Sequence, residues 1–265
     1  MARIDDLLER LWDDYRSLNP QAGAIHHLLE SRGESVVNDH IALRTYNDPR
    51  IGLEALSAPF LRYGYIPKGD YSFPEKKLEA RHFEHPKGNL PRVFISELKL
   101  GEFSDGLQST AKRLIDQMPG DLPGRWDFPV AGRPWNVSWS DYELLRKESE
   151  YGAWMAAFGF RANHFTVLVN ALKTFQDLAE LNTFLKEKGF KLNASGGEIK
   201  GSPDVYLEQS STLADQADVS FSDGSHKIPA CYYEFALRHK MPDGRIYSGF
   251  VEKSADKIFE STNKR

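Results

Sequence analysis

The chain has 265 residues, with 34 basic and 38 acidic side chains and a formal net charge of −4. That mild acidity argues against holding nucleic acid by a basic surface, and 40% hydrophobic with 12% aromatic residues argues for a sizeable core over disorder. One cysteine, Cys231, excludes thiolate zinc clusters and intrachain disulfides, so any bound metal must be held by nitrogen and oxygen.

The first predicted elements are helices within residues 1–35. Leu7, Leu8, Leu11, Trp12 and Tyr15 recur at helical spacing, and Ile25, Leu28 and Leu29 mark a second helix. Asp39 to Tyr46 then reads as a strand, stopped by Asn47-Asp48-Pro49. Leu53, Leu56, Phe60 and Leu61 give a helix that ends near Gly64. Strand-like runs follow at Ala80–Glu84 and Arg92–Leu98. Residues 101–159 read as a connector with its own helices and a Pro/Gly/Trp-rich loop. Asn163 to Val169 is a strand signal, and Phe175, Leu178, Leu181 and Leu185 mark a helix that ends at Gly189. Asp204–Leu207 and Ala230–Leu237 complete the strand signals, with Gln209-Ser210-Ser211-Thr212 as a polar loop between them. Residues 251–265 read as a C-terminal tail.

The two halves match in order. Each opens on a strand with His-apolar-x-apolar, followed by Asn, a helix and Gly-aromatic, and each closes on an aromatic-rich strand with a glutamate, Glu97 or Glu234. The expected fold is therefore α+β in a single domain, residues 1–265. Modules of βαβββ type at 36–100 and 160–250 pair into a half-open mixed β-barrel, with extra N-terminal and inter-module helices. The N-terminus carries acid where a signal peptide needs an apolar run, and no stretch approaches a bilayer span. The expectation is a cytoplasmic protein without membrane or nucleic-acid partners.

Strand alternation puts His40, Ala42 and Arg44 on one face, His164 and Thr166 on another strand's face, and Tyr232, Glu234 and Ala236 on a third. If these faces line the cavity, two imidazoles and a carboxylate converge. That donor set suits Fe(II) and leaves positions open for substrate and oxygen. Taken singly, a strand histidine is more often a hydrogen-bonded core residue, and an arginine a salt-bridge partner. The matched repeat positions of His40 and His164 favour the metal reading. A cavity-facing Arg44 needs an anion, and its fork matches a carboxylate. The substrate expected is thus a small dicarboxylic acid that reaches the metal at one end and Arg44 at the other. Glu97, as repeat partner of Glu234, is a candidate fourth ligand, cavity-lining group or base. His82 is a candidate substrate contact and Gln209 a candidate pocket wall. His26 and His27 read as surface or packing residues, His85 as a turn residue, His226 as a loop residue and His239 as solvated. Cys231 faces away from Tyr232 and Glu234 and reads as a buried apolar residue. No phosphate-binding glycine loop and no nucleophile elbow is present.

His40-Ile41-Ala42-Leu43-Arg44, Asn163-His164-Phe165-Thr166 and Tyr232-Tyr233-Glu234-Phe235 together resemble the DUF1338 family. Its characterised members are 2-oxoadipate dioxygenase/decarboxylases, also called 2-hydroxyglutarate synthases, of the vicinal oxygen chelate superfamily. The resemblance runs from about Leu7 to Arg245. It implies Fe(II) on His40, His164 and Glu234, Arg44 on the distal carboxylate of the substrate, and conversion of 2-oxoadipate and O2 to 2-hydroxyglutarate and CO2. Bacterial members of known activity are longer than this chain, so the metal chemistry transfers further than the substrate. Two other classes suit the same residues. One is a lyase, isomerase or hydrolase using Zn, Mn or Ni on the same scaffold. The other is a metal-free module that captures a small acid.

Overall fold

The computed structural model describes residues 3–259. Helices α1 (Ile4–Leu18) and α2 (Pro20–Ser31) precede β1 (Asn38–Tyr46), α3 (Leu53–Arg62), β2 (Ile66–Phe73), β3 (Leu78–Glu84) and β4 (Arg92–Leu98). The connector holds α4 (Asp105–Ile115), α5 (Trp139–Glu148) and α6 (Glu150–Phe158). The second half holds β5 (Ala162–Leu168), α7 (Leu178–Glu187), β6 (Lys200–Ser202), β7 (Leu207–Ser211), β8 (Gln216–Phe221), β9 (Gly224–Pro229), β10 (Tyr232–Arg238) and α8 (Glu252–Phe259).

One curled mixed sheet carries the order β2-β3-β4-β1-β5-β10-β7-β6. Within each half the first strand lies parallel to the last, and β1 meets β5 antiparallel at the centre. The two halves are therefore copies of one βαβββ unit, as the repeat predicts. The second differs by an inserted hairpin, β8–β9, which forms its own small sheet. His226 lies on β9, stacked on Trp139 at 3.8 Å between ring centroids, so the loop expected there is a strand. Gln209–Ser211 likewise belong to β7 instead of a loop, because the turn falls earlier, at residues 203–206, with Tyr206 in the left-handed region. Of the expected tail, residues 260–265 lie outside the described residues. Residues 252–259 form α8, which packs against β2, β6 and β7.

The convex face of the sheet carries the main core. Trp12 and Tyr15 of α1 pack on Phe165 and Tyr233, and the Tyr15 hydroxyl donates to Tyr232 O at 2.5 Å. Cys231 is buried and free. The concave face carries polar and apolar side chains together. It is covered at one end by α6, which begins at a Ser149 cap. Among the described residues no helix is long and apolar enough to cross a membrane.

Gly159 ends α6 and turns the chain into β5, which carries His164. Its φ is +69°, and a Cβ there would lie 2.3 Å from Gly132 O. That oxygen is backbone, held by Phe160 N at 2.8 Å, so no rotamer change relieves the clash. Gly159→Ala is expected to cost about 2 to 3 kcal/mol, seen as a lower urea midpoint with an unchanged slope.

Candidate metal centre

Residues that pair across a sheet share a face, so the registers show which side chains meet. His40 pairs with Thr166, Ala42 with His164, Tyr232 with His164, and Glu234 with Thr166. His40, His164 and Glu234 therefore project from three adjacent strands to one point on the concave face. All three are buried, and their ligand atoms lie within 4.8 Å of one another.

The inner triangle is tighter. His40 Nε2 is 3.4 Å from His164 Nε2 and 3.6 Å from Glu234 Oε1, and His164 Nε2 is 3.3 Å from Glu234 Oε2. Two donors bound to one first-row metal at about 2.0 to 2.2 Å, the imidazole and carboxylate range, stand roughly 3.3 to 3.6 Å apart at tetrahedral angles, as each of these pairs does.

The neighbours aim lone pairs inward. His164 Nδ1 lies 3.2 Å from Asn163 Oδ1, which can only accept, so the ring proton sits on Nδ1 and Nε2 faces the centre bare. His40 Nδ1 donates in the same way to Asp39 Oδ2 at 2.8 Å. Burial opposes charge on Asp39, but the Arg238 guanidinium and His40 outweigh it and hold the carboxyl well below the usual carboxylate range. Gln209 Nε2 donates to Glu234 Oε1 at 2.6 Å. Burial pushes the His164 imidazole well below its ordinary value, helped by the neighbouring His40 and Arg44. It pushes the Glu234 carboxyl up, against His40 and Gln209. The Thr166 hydroxyl meets His40 Nε2 at 3.1 Å, and two imidazole lone pairs and a carboxylate crowded into one buried pocket still repel one another. A divalent cation relieves that repulsion, so the donor set fits a metal.

Arg44 occupies the same concave face, four residues along β1 from His40. It is 3% exposed, and its guanidinium lies over the rings of Tyr151 at 4.9 Å and Trp154 at 5.1 Å, beside the Tyr232 hydroxyl. Tyr151 is itself fixed, donating to Ser96 O at 2.6 Å and accepting from Thr45 N at 3.0 Å.

Glu97 does not join the cluster. It pairs with Thr45, an odd step from Ala42, and so lies on the convex face, where Oε2 accepts from Leu53 N at 2.7 Å at the start of α3. The residue of β4 on the concave face beside Ala42 is Phe94. Phe94 is thus the structural counterpart of Glu234, and the first half supplies one ligand where the second supplies two. His82 pairs with Phe94 and faces inward, with Nδ1 2.9 Å from the Tyr71 hydroxyl and Nε2 3.2 Å from Glu84. Gln209 lines the pocket beside the ligands with Phe94, Phe250, Ala255 and Ile258. Phe250 meets His40 edge-on at 4.8 Å. Sequence reasoning missed Asp39, Asn163 and Phe250. The first two were visible as the polar residue before each histidine, but Phe250 carries no local signal.

The 2-oxoadipate dioxygenase/decarboxylase family matches the chain over residues 3–119 and 132–246. A relative from Arabidopsis thaliana, named 2-oxoadipate dioxygenase/decarboxylase, chloroplastic, is 37% identical over 278 residues, covering 94% of this chain and 74% of that one. The crystal structure of the Oryza sativa hydroxyglutarate synthase in complex with 2-oxoadipate superposes with a TM-score of 0.90 at 35% identity, covering 97% of this chain and 90% of that one. A Shewanella frigidimarina structure, provisionally described as a hydrolase, has a TM-score of 0.91 at 48% identity and covers 95% of this chain and 99% of that one. With the repeat, the buried triad and these likenesses together, the chain belongs to the 2-oxoadipate dioxygenase/decarboxylase family of enzymes.

Proposed function

We propose that this chain is a non-haem Fe(II) enzyme that converts 2-oxoadipate, or a close 2-oxo dicarboxylate, and O2 to 2-hydroxyglutarate and CO2. The observation that carries the reading is the triangle of His40, His164 and Glu234, whose spacing and inward donor atoms suit one divalent ion. Bound there, Fe(II) supplies Lewis acidity toward the 2-oxo acid and electrons for oxygen. The protein residues do the rest. Two neutral imidazoles and one carboxylate leave a net positive charge on a divalent site, which the carboxylate of a 2-oxo acid neutralises. Arg44 takes the distal carboxylate, with Tyr151 and Trp154 holding its guanidinium flat. Phe94, Phe250, Ala255 and Ile258 shield the reacting atoms from water.

Zn, Mn and Ni take the same donors, so the metal is a matter for reconstitution. The buried thiol of Cys231 suits a reducing compartment, and the cytoplasm is our reading of location. Protein reconstituted with Fe(II) under argon and given O2 is expected to consume oxygen and release CO2 in equal amounts with 2-oxoadipate. An oxygen electrode with CO2 trapping reads this over a panel of 2-oxo acids. No uptake with any of them overturns the proposal, and turnover that persists without oxygen points to a lyase or hydrolase instead.

A further inference from the structure

Asp39 and Arg238 stand 199 positions apart in sequence, yet their side chains meet with 0% and 1% exposure. A buried ion pair is costly to desolvate, and apolar residues often replace one without loss of stability. This pair is used for more than charge balance. Arg238 Nε donates to Asp39 Oδ1 at 2.6 Å and Nη2 to Oδ2 at 2.8 Å. The remaining prong, Nη1, donates to Tyr247 O at 3.0 Å and Gly249 O at 2.9 Å. Asp39 Oδ2 is also the acceptor for His40 Nδ1.

Both ends of this link reach the pocket. On one side lies His40. On the other, the residue after Gly249 is Phe250, which packs edge-on to His40 and lies under Arg238 with 5.3 Å from the guanidinium carbon to the ring centroid. Phe250 N donates to the Tyr71 hydroxyl at 3.1 Å, a second tie on the same segment. The space beside the ligands is about 20 Å³, lined in part by Phe250. That is near the volume one water needs, and Phe250 is one of the walls that bound it.

We infer that Arg238 is a positioning residue for two parts of the site at once: through Asp39 it sets His40, and through the Tyr247 and Gly249 carbonyls it sets the Phe250 wall. The inference rests on the metal reading of the triad. Lysine cannot substitute, because a single ammonium has no planar fork to hold both carboxylate oxygens and reach the two carbonyls as well.

The test is cobalt titration of metal-free protein, followed by visible absorption against a competing chelator, beside the KM for 2-oxoadipate of the Fe(II) enzyme. In Arg238→Lys, cobalt affinity is expected to fall about 10- to 100-fold, the usual range for losing an outer support of a metal ligand, and KM to rise. Tyr71→Phe breaks the Phe250 tie and the contact with His82 but touches neither Asp39 nor His40, so KM is expected to rise while cobalt affinity holds. If Arg238→Lys does not fold, Asp39→Asn takes its place. It keeps an acceptor for His40 but loosens the Arg238 grip, and the same fall in cobalt affinity is expected. A variant that loses thermal stability yet keeps wild-type cobalt affinity, spectrum and KM overturns the inference, leaving Arg238 a structural ion pair. Wild-type protein that takes up no cobalt overturns the metal reading itself, and this inference with it.

Discussion

His164→Ala is expected to abolish stoichiometric metal binding and to lower turnover by about 10³-fold or more. The imidazole is one of three donors on the concave face, and removing it leaves His40 and Glu234 alone. The groups around the gap are poor substitutes. Tyr232 stacks on His164 at 4.6 Å with its ring plane, and the Thr166 hydroxyl is already 3.1 Å from His40 Nε2. Lewis acidity at such a site is worth several kcal/mol, and about 4 kcal/mol corresponds to roughly 10³ in rate. Metal content by plasma emission and oxygen uptake on the same preparation check both halves of the prediction. Glu97→Gln is the contrasting variant. Glu97 lies on the convex face, and a glutamine there still accepts from Leu53 N, so metal content and turnover are expected to match the wild type. Full metal content in His164→Ala, or metal loss in Glu97→Gln, would falsify the assignment of the triad.

Arg44→Met is expected to erase the preference for a dicarboxylate while leaving metal binding intact. Methionine fills much of the same volume and keeps apolar contact with Tyr151 and Trp154, so the change isolates the charge. A buried, hydrogen-bonded charge pair costs about 2 to 5 kcal/mol when one partner is truncated. At about 3 kcal/mol, kcat/KM for 2-oxoadipate falls by on the order of 10²-fold. The comparison substrate is 2-oxohexanoate, which has the same chain length and no distal carboxylate. Its kcat/KM is expected to change little. The informative quantity is therefore the ratio between the two acids. An equal loss for both would make Arg44 a structural residue that braces α6 against β1.

Several of these expectations were legible in the chain before any coordinates. His40 and His164 sit at equivalent places in a repeat because each half rebuilds the same strand–helix unit, and local punctuation marks it. Asn after the strand and Gly after the helix are short-range signals. The alternation of side chains along β1, β5 and β10 correctly put Arg44 with His40, and Cys231 away from Glu234. The Glu97 expectation shows where that logic stops. Two glutamates on matching strands look equivalent in sequence, but pairing by register places Phe94 opposite Ala42, and three further residues put Glu97 on the other face. A shift by an odd number inverts the face of a strand residue, and register is a property of two strands, not of one.

The sequence by itself determined the repeated βαβββ order, the nitrogen and oxygen character of the donors, and the identity of the three that converge. Those follow from periodicity and composition, which are read within a window of ten or so residues. Only the tertiary structure decided which glutamate serves, that Gln209 lies in a strand beside Glu234, that α8 and Phe250 wall the pocket, and that Asp39 finds Arg238 from 199 positions away. Each of these is a contact between segments remote in sequence. Such contacts are set by how the curled sheet brings its strands and closing segment together, so no local pattern encodes them.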